Sequence, residues 1–216
     1  MTDRALATVH VIDDDPVIRE STTFLLESAG LRVRTYAACA DYLTTTPSAG
    51  AGCILLDLRL PGMTGLELQR ELVARGSHLP IIFITAHGDT ETAVLAMKGG
   101  AVEFLEKPYS PKRLLDAVEA AVARDGHSLE WRADRARAVQ AVDRLSQRER
   151  EVLADVVRGE RSQDIADRLD ISRRTVESHR NNIMKKLRAR NVAELVRLAT
   201  IASSSPNDHE PAHASE

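Results

Sequence analysis

Five short apolar runs place the tightest limit on how this chain can fold. Val9–Ile12, Leu31–Tyr36, Cys53–Leu56, Ile81–Ile84 and Val102–Leu105 have the length and residue types of strands. Helical periods follow them, at about 16–29, 39–46, 65–75, 89–98 and 111–124. Parallel neighbours need a crossover, and a helix after every strand supplies one. The repeat therefore predicts a five-stranded parallel sheet covered on both faces. "CILL" and "IIFI" are apolar throughout, as strands buried on both faces are.

In such a sheet, ligands sit outside the carboxyl ends of the strands, where strand order reverses. The strand ends are where this sequence concentrates its chemistry. "VHVIDDDP" runs from a strand straight into Asp13, Asp14 and Asp15. Asp57 ends "CILLD", Thr85 follows "IIFI", and Lys107 precedes Pro108, which stops the last strand. A run of acids is more often a solvated loop, and a lone "LLD" is usually structure. The combination at successive strand ends changes that balance. Hard divalent ions such as Mg²⁺ take one or two carboxylates plus waters. A carboxylate can act as a nucleophile toward phosphorus, with an ammonium and a hydroxyl steadying the phosphoryl oxygens.

"VIDDDP", "ILLDLRLPGMTG", "FITAHG" and "EFLEKPY" resemble the four motifs of a two-component response-regulator receiver domain, over residues 6–124. The resemblance implies a flavodoxin-like α/β fold. It makes Asp57 the phosphoacceptor, with Mg²⁺ (or Mn²⁺) held by Asp14, Asp57 and the backbone carbonyl of Arg59, and Asp13 supporting the ion. Thr85 and Lys107 would hold the phosphoryl group, and Phe104 would change rotamer together with Thr85. Asp15 has no metal role in the family pattern and reads as a solvated loop acid. Tyr109, where the family more often has phenylalanine, is a mild departure.

The second half differs in charge. Residues 1–144 carry 16 basic and 20 acidic side chains, whereas residues 145–202 carry 13 and 9. An acidic front and a basic back suggest two modules with different partners. Between them, residues 125–144 are charged and poor in apolar anchors, and read as a solvated connecting helix. From Leu145 helices are expected near 146–158, 162–169, 173–188 and 191–202. Ser146 with Glu149 forms a capping box, and Ser162 and Ser172 are further N-cap candidates. Residues 203–216 are polar and read as a disordered tail.

"ISRRTVESHRNNIMKKLRAR" holds seven basic residues against the single acid Glu177. At 100° per residue, Ile183 and Leu187 fall within about 20° of Val176, a stripe flanked by His179 and Arg180. Arg174, Ser178, Asn181 and Lys185 point the other way, bordered by Glu177 and Asn182. Such hydrogen-bonding types suit base edges and phosphates. A short helix, a turn of about three residues and this second helix make a helix-turn-helix arrangement. Residues 145–202 closely resemble the LuxR-type helix-turn-helix of the NarL/FixJ response regulators, so the second domain would be all-α. The implied DNA contacts are Arg173, Arg174, Thr175, Glu177, Ser178, Arg180, Asn181, Asn182, Lys185 and Lys186. In that family the last helix, "VAELVRLATIA", pairs two DNA-binding domains; packing within one domain is an equal alternative reading.

Together the resemblances imply a transcription regulator rather than an enzyme, beyond Mg²⁺-dependent phosphotransfer to its own aspartate and self-dephosphorylation. The implied partners are a cognate sensor histidine kinase, promoter double-stranded DNA, RNA polymerase and, on phosphorylation, a second copy of the chain, with activation the expected sign. An aspartyl-phosphate phosphatase would place a second acid two residues after its nucleophile, where Arg59 stands. A protein-binding output domain is disfavoured by the polar, basic helix face. Two isolated cysteines, Cys39 and Cys53, fit a reducing compartment. There is no membrane-length apolar run and no leader pattern, so a cytoplasmic protein without a membrane partner is expected.

Overall fold

The computed structural model describes residues 7–45, 50–86 and 89–204. The chain divides into two compact units, the first running to Leu129 and the second from Glu130.

The first unit contains a five-stranded sheet. Its strands are β1 (Thr8–Ile12), β2 (Arg32–Tyr36), β3 (Gly52–Asp57), β4 (Ile81–Thr85) and β5 (Glu103–Glu106). All pairings are parallel and the order is β2-β1-β3-β4-β5, so the order reverses between β1 and β3. Helices α1 (Pro16–Ser28), α2 (Cys39–Leu43), α3 (Gly65–Ala74), α4 (Thr90–Lys98) and α5 (Pro111–Asp143) are the crossovers and the closing helix. Strand alternation divides the core in two. Val9, Val11 and Leu55 pack with Leu26, Leu114 and Val118 on one face. Ile12, Ile54, Leu56 and Phe83 pack with Leu68 and Ala96 on the other. The edge strands carry charges that blunt further pairing, Arg32 and Arg34 on β2 and Glu103 and Glu106 on β5. His10 is buried among Tyr36 and Tyr42, and burial lowers its pKa to about 4, with Arg34 adding to the shift. Cys53 is fully buried, as its apolar run predicts, and Cys39 is buried too.

The second unit is helical: α6 (Gln147–Val157), α7 (Ser162–Leu169), α8 (Arg173–Leu187) and α9 (Val192–Ser203). One core joins Leu145, Val152, Leu153 and Val156 to Ile165, Val176, Ile183, Leu187 and Leu195. Ser146 caps α6 in a complete capping box with Glu149, and Ser172 caps α8 through Thr175 N–H.

Two expectations need correction. Ser162 is not an N-cap: Arg161 holds that position without a side-chain cap, and Ser162 is the first residue of α7. Its hydroxyl instead accepts from Arg180 Nη1 at 3.4 Å. Residues 125–144 are helical to Asp143, as expected of the connecting stretch, but not solvated along their whole length. α5 runs unbroken for 33 residues, and both ends of that stretch are packed. Asp125 is buried and accepts Gly52 N–H at 3.0 Å. Ala138 is buried, and Ala141 and Val142 pack on the second unit's core. Small alanines and one valine suffice to anchor a helix face, which a search for larger apolar residues misses. Of the expected tail, residues 205–216 lie outside the described residues.

Candidate phosphoacceptor site and DNA interface

The reversal of strand order opens a crevice at the carboxyl ends of β1 and β3, and the candidate residues stand there. Asp13 follows β1 and is buried; Asp57 ends β3. Lys107 follows β5, and its Nζ donates to Asp13 Oδ2 at 2.7 Å and to Asp57 Oδ2 at 2.9 Å. Burial opposes the ammonium charge, but the two carboxylates outweigh it, so the Lys107 pKa is raised. The remaining carboxylate oxygens are held by backbone. Asp57 Oδ1 accepts Arg59 N–H at 3.0 Å, and Asp13 Oδ1 accepts Asp15 N–H at 2.9 Å. Thr85 is buried at the end of β4, and its carbonyl accepts Lys107 N–H at 2.7 Å. Phe104 is half-buried, its ring 6.5 Å from that of Phe83.

Local sequence explains the placement of Asp57. Thr64 caps α3 in a capping box with Glu67. Gly65 then brings the helix start against the strand end, where a Cβ would stand 2.4 Å from the Asp57 carbonyl oxygen. No other residue fits there.

The structure brings together two of the three predicted ion-site carboxylates, Asp13 and Asp57. Asp14 is exposed beside them. Among the described residues no three His, Cys, Asp or Glu side chains stand together as a ready metal cluster; Lys107 supplies the positive charge between the pair. Asp15 has a role the sequence reading missed. It caps α1, accepting Val17 N–H at 2.8 Å, and the Asp-Pro pair at a helix start was the available signal. Arg19 was also missed; its Nη1 donates to the carbonyls of Asp13 and Asp14 at 2.7 and 2.9 Å, fixing the acidic loop.

In the second unit α8 has the predicted phase. Val176, Ile183 and Leu187 are buried, whereas Arg173, Arg174, Thr175, Glu177, Ser178, Asn181, Asn182 and Lys185 are exposed. Three of the predicted DNA contacts have side-chain partners within the unit; the Thr175 hydroxyl lies 2.8 Å from that of Ser172. Arg180 is half-buried against Ser162. Lys186 Nζ donates at 2.6 Å to Glu149, which is buried on α6. The Lys186 ammonium holds the Glu149 carboxyl below the usual carboxylate range against the opposing effect of desolvation, helped by Ser146. Beside α7, the fully buried Asp155 pairs with Arg158 and Arg168, and both arginines also approach Glu160. Arg148 Nη2 donates to the Leu169 carbonyl at 2.6 Å, closing the end of α7. None of this ionic scaffold was evident from helical phase.

Comparison with known proteins finds the response regulator receiver domain over residues 9–119 and the bacterial regulatory proteins of the luxR family over 143–199. The transcriptional regulatory protein FixJ of Azorhizobium caulinodans is 46 % identical over 200 residues, covering 93 % of this chain and 95 % of the relative. The chain belongs to the two-component response regulators. TdiR of Thauera aromatica, another transcriptional regulatory protein, is 41 % identical over 94 % of this chain and 89 % of its own. Among solved structures, the response regulator StyR superposes with a TM-score of 0.80 at 42 % identity, covering 90 % of this chain and 98 % of StyR. Full-length FixJ from B. japonicum matches with a TM-score of 0.57 at 40 % identity, covering 94 % and 98 %. This response regulator thus joins a flavodoxin-like receiver to a LuxR-type DNA-binding domain and acts as a two-component transcription regulator, a class whose receiver takes its signal from a histidine kinase. Among the described residues no helix is long and apolar enough to cross a membrane.

Proposed function

We propose that Asp57 is the phosphoacceptor and that its modification controls pairing of the chain on DNA. The observation that carries this reading is the Lys107 ammonium, shared between Asp13 and Asp57 at the crevice where strand order reverses. An Asp57 carboxylate oxygen forms the bond to phosphorus while the bond to the kinase's phosphohistidine nitrogen breaks. Lys107 and the Thr85 hydroxyl then hold the phosphoryl oxygens, with Phe104 following Thr85. Two carboxylates that already converge on one cation, with Asp14 beside them, suit a hard divalent ion. Mg²⁺ or Mn²⁺ held by Asp13, Asp14, Asp57 and the Arg59 carbonyl would supply positive charge against the phosphoryl oxygens.

The receiver is assigned to residues 6–124, the joining segment to 125–144 and the DNA-binding domain to 145–202. Phosphorylation promotes a homodimer, which occupies a two-fold promoter site and activates transcription through RNA polymerase in the cytoplasm. Sedimentation velocity with and without a phosphoryl mimic tests the switch. The dimer fraction and the affinity for a two-fold site should rise together, and an unchanged monomer with unchanged affinity would remove the model.

On DNA, Arg174, Ser178 and Asn181 read base edges from the first half of α8, and Lys185 meets phosphate. Asn181→Ala should cost about 1–3 kcal/mol on a cognate site and relax its preference. Lys185→Ala should weaken all sequences alike and lower the salt slope by about one. Lys186→Ala should instead lower the stability of the unit by about 1 kcal/mol, because it takes the side-chain partner from buried Glu149. Titrations on cognate and random duplexes, with urea unfolding of each variant, separate the three. Equal DNA phenotypes for Lys185→Ala and Lys186→Ala at unchanged stability would refute the division.

A further inference from the structure

Helix α4 is fastened to the receiver at its C-terminal turn. Ala96 is its buried residue, while Val94, Leu95 and Met97 are exposed. One methyl group supplies little apolar burial, which marks α4 as weakly held. A polar attachment makes up the difference. Gln69, on α3, is 2 % exposed, and its Nε2 donates to the Ala96 carbonyl at 2.9 Å. That carbonyl also accepts Ala101 N–H at 3.1 Å in the turn that closes the helix, so both of its lone pairs are used. Gly99 lies against the same amide: a Cβ there would stand 2.5 Å from Gln69 Oε1 and 2.8 Å from its Cδ. The Gly99 backbone is right-handed, with φ −75°. Glycine is needed there to make room for Gln69, not for its conformational freedom. At the opposite end, α4 begins with its own exposed cap, Asp89 accepting Thr92 N–H.

We propose that Gln69 and Gly99 form the fulcrum of α4. Gln69 is a positioning residue that fixes the last turn of α4, so that the phosphorylation signal from Thr85 moves the N-terminal part and swings exposed Val94 relative to Leu95 and Met97. This rests on the reading of Asp57 as the switch and adds the pivot on which the switch turns.

The test uses the full chain with Gln69→Ala, Gly99→Ala and the double variant, followed by amide hydrogen exchange and by sedimentation with and without a phosphoryl mimic. Each single change should speed exchange of the 94–98 amides about tenfold, the net worth of one buried hydrogen bond. Exchange in β3 and β4 and labelling of Asp57 by acetyl phosphate should stay as in wild type. The dimer fraction without the mimic should rise, which shrinks the gain the mimic produces. In the Gln69→Ala background, Gly99→Ala should add nothing, because the added methyl occupies space the amide has left. Unchanged α4 exchange in Gln69→Ala, an equal Gly99→Ala effect in both backgrounds, or faster exchange with the full phosphoryl gain would each overturn the proposal. Should wild type itself fail to label, the phosphoacceptor reading falls, and the exchange data still decide the fulcrum.

Discussion

Asp57→Asn is expected to take up no phosphoryl group from acetyl phosphate in the presence of Mg²⁺. The carboxamide cannot form an acyl phosphate, and it also loses the charge that faces Lys107. The variant should stay folded, because Lys107 keeps Asp13 at 2.7 Å and β3 keeps its buried side chains. Loss of label with an unchanged melting temperature therefore reports chemistry alone. Asp14→Ala should lose labelling as well through loss of the ion, although Asp14 is exposed and outside the Lys107 pair. Label retained at wild-type level by Asp57→Asn would move the site elsewhere.

The second large effect is one of stability. Asp155 is fully buried, while Arg158 and Arg168 are each about half exposed. The three groups therefore differ in what their removal leaves behind. Asp155→Leu frees two arginines that already reach water, and should cost little. Arg158→Ala or Arg168→Ala leaves the carboxylate one partner, and should cost about 1 kcal/mol or less, given the exposure of each arginine. The double change strands a buried charge, for which the penalty is about 3–5 kcal/mol. Urea unfolding should thus show a strongly non-additive loss confined to the DNA-binding unit, with the receiver transition unmoved. Small, additive losses would mean that water reaches Asp155 and that the pairs are ornamental.

Strand ends were legible because short apolar runs and the stop residues after them fix them locally. Asp57 closes "CILLD" in the structure as in the sequence, and Lys107 stands before its proline. The inward stripe of α8 was legible for the same reason: helical phase depends on spacing alone. What escaped depended on a partner distant in sequence. Lys186 lies near the edge of the stripe, and only the fold shows its amine reaching Glu149, 37 residues earlier. Gln69 reads as an ordinary polar helix residue until Ala96 is placed beside it. The length of α5 escaped because the change in composition after Arg124 resembles a break, whereas Gly126 costs a helix only about 1 kcal/mol and does not end it.

That helix bears on where the chain can be cut. Arg135 Nε donates to the Ser204 carbonyl at 2.8 Å, closing the end of α9, and Ala138 is buried nearby in sequence. A fragment begun at Asp143, where the match to the luxR family starts, would discard both, along with Ala141 and Val142. Grafting this output module onto another sensor-controlled domain therefore calls for a junction before Arg135, within helix. Heterologous fusions should then be spaced in whole turns, because at 3.6 residues per turn each inserted residue rotates the graft by about 100°.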